Sequence, residues 1–271
     1  MPLFDTHTHI YLSEKKSQEE IIKQIQDDPN IKYIATIGLD EEVNKNNIIL
    51  SKNYPFIIPS IGIHPCYVEW YNKEKEQTLE NLETLIKTEK IYALWECWLD
   101  YYRLPPRLTE TSFSKEELVN LQKYFFKWQI ELAKLYRVPL IIHNREAKED
   151  ILKILIQHDY KNFVFHCYSE DLSFAEEILS FAPDAFISFS GIVTFKNSKQ
   201  VQETAAKIPL KNILTETDCP YLSPEPKRWQ ENYPENVAFV LKKIQSLREE
   251  SPEEVEKTIY ENSLRFFWIS S

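Results

Sequence analysis

Short apolar stretches rich in Ile, Val, Phe and Tyr recur along the whole chain. They lie at 3–6 (LFDT, running on into HTHI), 31–38, 56–63, 91–95, 138–142, 162–165, 185–189 and 212–215. Runs of this length and composition predict strands buried on both faces, as parallel strands are. Between them the polarity changes to a helical period, most clearly over 115–136 (KEELVNLQKYFFKWQIELAKLY) and 147–158 (AKEDILKILIQH). Strand and helix alternate eight times with no linker and no break in composition. That rhythm predicts an α/β chain, a (β/α)8 TIM barrel forming a single domain over 1–271. Two extra C-terminal helices are expected near 234–249 and 252–267. The second is announced by SPEE at 251–254, a cap residue, a proline for the first turn and acids suited to a helix N-terminus.

The polar positions that interrupt this pattern are not random. His7 and His9, Gly62 followed by His64, Glu96, His143, His166 and Asp218 close almost every run. Barrel active sites are built where strands end, on the C-terminal rim. Of the six histidines only His158 falls elsewhere, near a helix end, where it reads as a solvated or capping residue. His7 and His9 stand two apart on a strand, so alternation turns both to one face. Two satisfied polar residues would explain that pair equally well taken alone. With Glu96, His143, His166 and Asp218 added, six ligand-type residues gather at one rim and need something to bind. Imidazole and carboxylate are the common ligands of divalent metals, and a metal site is the expectation.

Composition narrows the class. Hydrophobic residues make up 43% and charged residues 27%, ordinary for a globular protein, and no apolar run approaches the length of a membrane helix. The N-terminus enters a strand at once, without a basic segment followed by an apolar one, so no signal peptide is expected. Cys66, Cys97, Cys167 and Cys219 form no CxxC pair, which argues against a zinc ribbon or disulfide framework and for a reducing cytoplasm. A net charge of −10 disfavours an extended grip on a nucleic-acid backbone, although bound cations could supply positive charge locally.

The motifs carry a resemblance. HxH at the start, GIHP at 62–65, ECWLDYYR at 96–103, IIHNREA at 141–147, FHCYS at 165–169 and TETDCPYLSP at 215–224 are similar, in order, to those of the TatD family. These are metal-dependent hydrolases usually described as deoxyribonucleases. The resemblance implies two divalent metal ions per subunit, Mg, Mn or Zn. His7, His9 and Asp218 would hold the first, His143 and His166 the second, and Glu96 would bridge them. It implies hydrolysis of phosphodiester bonds by metal-activated water, of exonuclease type, on short or single-stranded ends of DNA. Glu96 and Asp218 are the catalytic candidates, Asp218 orienting the water or taking its proton. His64, Arg103 and Arg145 are candidate phosphate contacts; His64 could instead pack against the rim, and either arginine could instead pair with a nearby acid such as Asp100 or Glu146. Glu216 and Asp5 each stand two residues from a ligand and are expected to orient histidines. Cys167 and Cys219 should point away from the ligands beside them. Tyr101 and Tyr102 could stack on a base or simply pack. Ester or amide hydrolysis, such as aminoacyl ester cleavage, is the alternative activity, since fold does not fix substrate. A non-catalytic metal-binding relative is the other alternative. No membrane and no obligate protein partner are expected.

The chain departs from the family pattern in one repeated way. It has three glycines, where about 7% usage would give roughly 19. Trp95, Trp98, Trp229 and Trp268 stand where the family commonly has glycine. The pattern fits a gene whose UGA codons mean glycine but were read as tryptophan. Trp70 and Trp128 could share that origin. Taken as written, Trp95 and Trp98 would crowd Glu96. Glu170 is a further departure, an acid near the expected phosphate site.

Overall fold

All eight apolar runs contain strands in the computed structural model, which describes residues 2–64, 71–95, 99–102, 104 and 113–270. The strands are β1 (Leu3–Thr8), β2 (Ile31–Ile37), β3 (Ile57–Ile61), β4 (Ala93–Leu94), β6 (Leu140–Ile142), β8 (Phe163–Phe165), β9 (Phe186–Phe189) and β10 (Ile213–Thr215). Two further pieces, β5 (Leu99–Asp100) and β7 (Asn144–Arg145), pair with each other as a separate parallel ribbon. The main sheet has the order β1-β2-β3-β4-β6-β8-β9-β10, chain order with the ribbon strands left out. Parallel strands in chain order, alternating with helices, are the topology of the (β/α)8 barrel class.

The helices are α1 (Gln18–Asp27), α2 (Glu41–Asn53), α3 (Lys75–Thr88), α4 (Lys115–Tyr136), α5 (Lys148–Gln157), α6 (Leu172–Phe181), α7 (Lys199–Lys207), α8 (Val237–Leu247) and α9 (Pro252–Phe266). Their starts follow from local chemistry. Ser17 and Ser114 each close a capping box with Glu20 and Glu117, satisfying two end groups reciprocally. Ser251 accepts from Glu254 N ahead of Pro252, as the SPEE pattern implies.

The chain divides into two compact units built from non-contiguous segments. The first comprises Met1–Thr36, Tyr54–Ile58 and Phe165–Ser271. In it Phe4 stacks on Phe267 with centroids 5.2 Å apart, and Phe186 meets Phe266 edge-on at 5.6 Å, so α9 seals against β1 and β9. The second comprises Ile37–Asn53 and Pro59–Val164. Its core holds Phe125, Phe126, Ile130, Leu140, Ile142 and Leu155, all buried. Trp95, just past β4, is also wholly buried, with its backbone N–H donating to Ile61 O at 2.8 Å. Among the described residues no helix is long and apolar enough to cross a membrane.

Candidate metal centre

Residues 216–219, just past β10, lie against the end of β1. Asp218 N donates to His7 O at 3.1 Å and His9 N to Cys219 O at 2.8 Å, with a parallel bridge from Thr8 to Cys219. Asp5 fixes this register from beneath. Its carboxylate accepts from Thr217 N at 2.9 Å, Thr217 Oγ1 at 2.5 Å and, more weakly, His7 N at 3.3 Å. Complete burial pushes the Asp5 carboxyl well above the ordinary range, against the pull of the Thr217 hydrogen bonds. Asp5 therefore reaches His7 through its backbone rather than its ring, and its main partner is Thr217, which pattern alone did not suggest.

The result is a tight triangle of ligand atoms. His7 Nε2 and His9 Nε2 are 3.2 Å apart, and Asp218 Oδ1 lies 3.6 Å from the first and 3.5 Å from the second. Three atoms at those spacings sit about 2.0 Å from a common centre, the length of a metal–imidazole or metal–carboxylate bond. The donor set thus fits a divalent metal by geometry as well as by chemistry. Both imidazoles are buried, and Asp218 is half-buried. Asp218 reaches the triangle with φ 58°, so a left-handed turn rather than strand alternation aims its carboxylate.

His166 completes the group. Its ring stacks on His7 with centroids 4.0 Å apart. His7, His166 and Asp218 each offer a ligand atom within 4.8 Å of the others. Glu216, which is buried, holds His166 in place: its Oε1 lies 3.1 Å from His166 Nδ1 and accepts from Cys167 N at 2.7 Å. The other carboxylate oxygen accepts from Ser188 Oγ at 2.5 Å. A carboxylate on Nδ1 fixes the tautomer that leaves Nε2 as the ligand atom. Two partners escaped the sequence reading. Tyr11 Oη lies 3.2 Å from His9 Nδ1, and Ser188 on β9 anchors Glu216. Alternation along FISF could have flagged Ser188; nothing local marks Tyr11.

The remaining candidates belong to the second unit. His143, half-buried, follows β6 directly. His64 is buried, its backbone N–H donating to Leu39 O at 3.2 Å. Arg145 is half-buried, with its guanidinium 4.1 Å from the centroid of the Tyr102 ring. The ribbon that carries Arg145 is clamped by Gln122, whose side chain accepts from Asp100 N at 3.1 Å and donates to Asp100 O at 3.4 Å. Tyr101 is engaged elsewhere, donating to Asp150 at 2.7 Å. Glu96 and Arg103 lie outside the described residues, as do Cys66, Cys97, Trp70 and Trp98. Cys167 Sγ lies 3.2 Å from Ser190 Oγ, and burial pushes the Cys219 thiol well above its usual range. His158, at the end of α5, meets Glu131 at 2.6 Å.

Comparison with known proteins is in keeping with this geometry. Residues 4–268 match the family described as TatD related DNase. The chain is 33% identical over 271 residues to the metal-dependent hydrolase YabD of Bacillus subtilis, covering 99% of this chain and all of YabD. It is 31% identical over 278 residues to the metal-dependent hydrolase YcfH of Escherichia coli, covering all of this chain and 97% of YcfH. Among solved structures it is similar to YJJV, a TatD homologue from Escherichia coli, with a TM-score of 0.85 and 25% identity over 99% of this chain and 98% of that one.

Proposed function

We propose, for a chain that belongs to the TatD family of metal-dependent hydrolases, that it cleaves phosphodiester bonds of DNA from short or single-stranded ends, in the cytoplasm. The observation that carries this reading is the His7–His9–Asp218 triangle with His166 stacked against it. His7, His9 and Asp218 would hold one divalent cation and His143 and His166 a second, with Glu96 as a ligand common to the two. Divalent metals supply Lewis acidity to such a site and bring the pKa of water toward neutrality.

The chain's own residues do the rest. Glu216 keeps a proton on His166 Nδ1 and so presents Nε2. Tyr11 steadies the His9 ring from its Nδ1 side. Asp218, half-buried at the edge of the triangle, can orient the attacking water or receive its proton at a carboxylate oxygen. Arg145, Arg103 and His64 pair with the phosphate oxygens, the guanidinium of Arg145 being pre-oriented by the Tyr102 ring. In-line attack on phosphorus then expels the 3′ or 5′ oxygen of the neighbouring nucleotide.

Labelled single- and double-stranded oligonucleotides, a small phosphodiester and aminoacyl esters should be assayed together with and without EDTA. EDTA-sensitive release of nucleotides from DNA ends is expected. EDTA-sensitive cleavage of the carbon esters alone would assign the site to ester hydrolysis. A chain that binds metal but turns over none of them would be a non-catalytic relative.

A further inference from the structure

Eight described residues other than glycine have left-handed backbone, and no described glycine does. Two of the eight are Trp229, at φ 72°, and Trp268, at φ 51°. Six tryptophans in 271 residues would place far fewer than one among eight positions drawn without regard to residue type. A bulky side chain at positive φ is an outlier in its own right.

Each of the two sits in a local motif that favours glycine. At the end of α9, Trp268 N donates to Arg265 O at 3.2 Å and Ile269 N to Leu264 O at 2.9 Å. That pair of bonds is the Schellman motif, and Trp268 occupies its left-handed position, where glycine is the usual residue. Elsewhere Gln230 N donates to Lys227 O at 3.1 Å, closing a turn whose third residue is Trp229. Positive φ at the third residue of a turn again selects glycine. Neither indole is packed away, Trp229 being 92% and Trp268 56% exposed.

We propose that the natural protein carries glycine at 229 and 268. Its gene is read by a genetic code in which UGA specifies glycine, and the tryptophans are the product of reading UGA as tryptophan. Composition agrees in direction: returning all six tryptophans would raise the glycine count from three to nine. A decoding rule acts on every such codon, so it reaches Trp95 wherever that codon is UGA. The Trp95 side chain fills space at the end of β4, directly before Glu96 in the chain. Glycine there would free that volume at the end of β4.

The codons at 229 and 268 and the tryptic peptides of the protein isolated from its own cells decide the matter. UGA at both positions and glycine by mass spectrometry are the expected results. UGG at either position, or tryptophan in either natural peptide, overturns the proposal. As a check on its structural basis, recombinant Trp229→Gly/Trp268→Gly should show a higher thermal midpoint than the chain as written, and a lower midpoint would remove that basis.

Discussion

Replacing Glu216 with Gln isolates the charge that orients His166. Glu216 is buried and accepts from Cys167 N at 2.7 Å, faces His166 Nδ1 at 3.1 Å with the same oxygen, and accepts from Ser188 Oγ at 2.5 Å with the other. Glutamine has the same shape. Its carbonyl oxygen can serve Cys167 and His166, while its amide donates to Ser188, whose hydroxyl can turn to accept. Folding should therefore survive, and the loss falls on the metal. Removing the partner of a ligating histidine typically weakens metal binding 10–100-fold, about 1.4–2.7 kcal/mol. Glu216→Ala is the structural contrast. It leaves two buried donors, on His166 and Ser188, and the part-buried Cys167 N without their acceptor, and at about 1–3 kcal/mol for each buried group the cost is on the order of 2 kcal/mol or more. Competition with a fluorescent chelator measures the first effect, and thermal unfolding followed by circular dichroism measures the second. A Glu216→Gln protein that folds normally and binds zinc as tightly as its parent would refute this role.

A divalent metal that binds only the folded chain should stabilise it by about 2.7 kcal/mol at a hundred times its Kd, and His7→Ala should abolish that gain in a thermal-shift titration. Trp268→Gly removes a left-handed strain of about 1–2 kcal/mol, and calorimetry should show a rise of roughly 2–4 °C per kcal/mol in the unfolding midpoint. Hydrogen bonding to Arg248 holds the Glu250 carboxyl below its ordinary range, and a lowered folded pKa gives stability present above the unfolded value and lost as pH falls through the folded one. The difference in midpoint between the parent and Glu250→Gln should therefore be full at neutral pH and close below about pH 4; a gap that widens in acid would reverse the sign of this linkage.

Much of the architecture was legible because buried parallel strands and amphipathic helices leave strong periodic marks. The helix over 115–136 emerges with those bounds, and all eight apolar runs contain strands. His7 and His9 were legible as a pair from their two-residue spacing, although β1 ends at Thr8 and His9 stands one residue past it. The rest of the site was less so. Asp218 is aimed by a left-handed turn, which no periodicity encodes. Asp5 serves Thr217, 212 residues away in sequence, and that contact exists only once the first and last strands meet. The ribbon of β5 and β7 is two residues deep on each side, too short to register as a strand pattern. Tyr11 is an ordinary tyrosine until its hydroxyl is seen 3.2 Å from His9.

The central claim is that His7, His9 and Asp218 converge on a cation. Crystals of the protein grown with zinc and measured at the zinc absorption edge test it most directly. The expected result is an anomalous peak about 2.0–2.2 Å from His7 Nε2, His9 Nε2 and a carboxylate oxygen of Asp218. A zinc-loaded crystal with its anomalous peaks elsewhere, and none at this triangle, would contradict it.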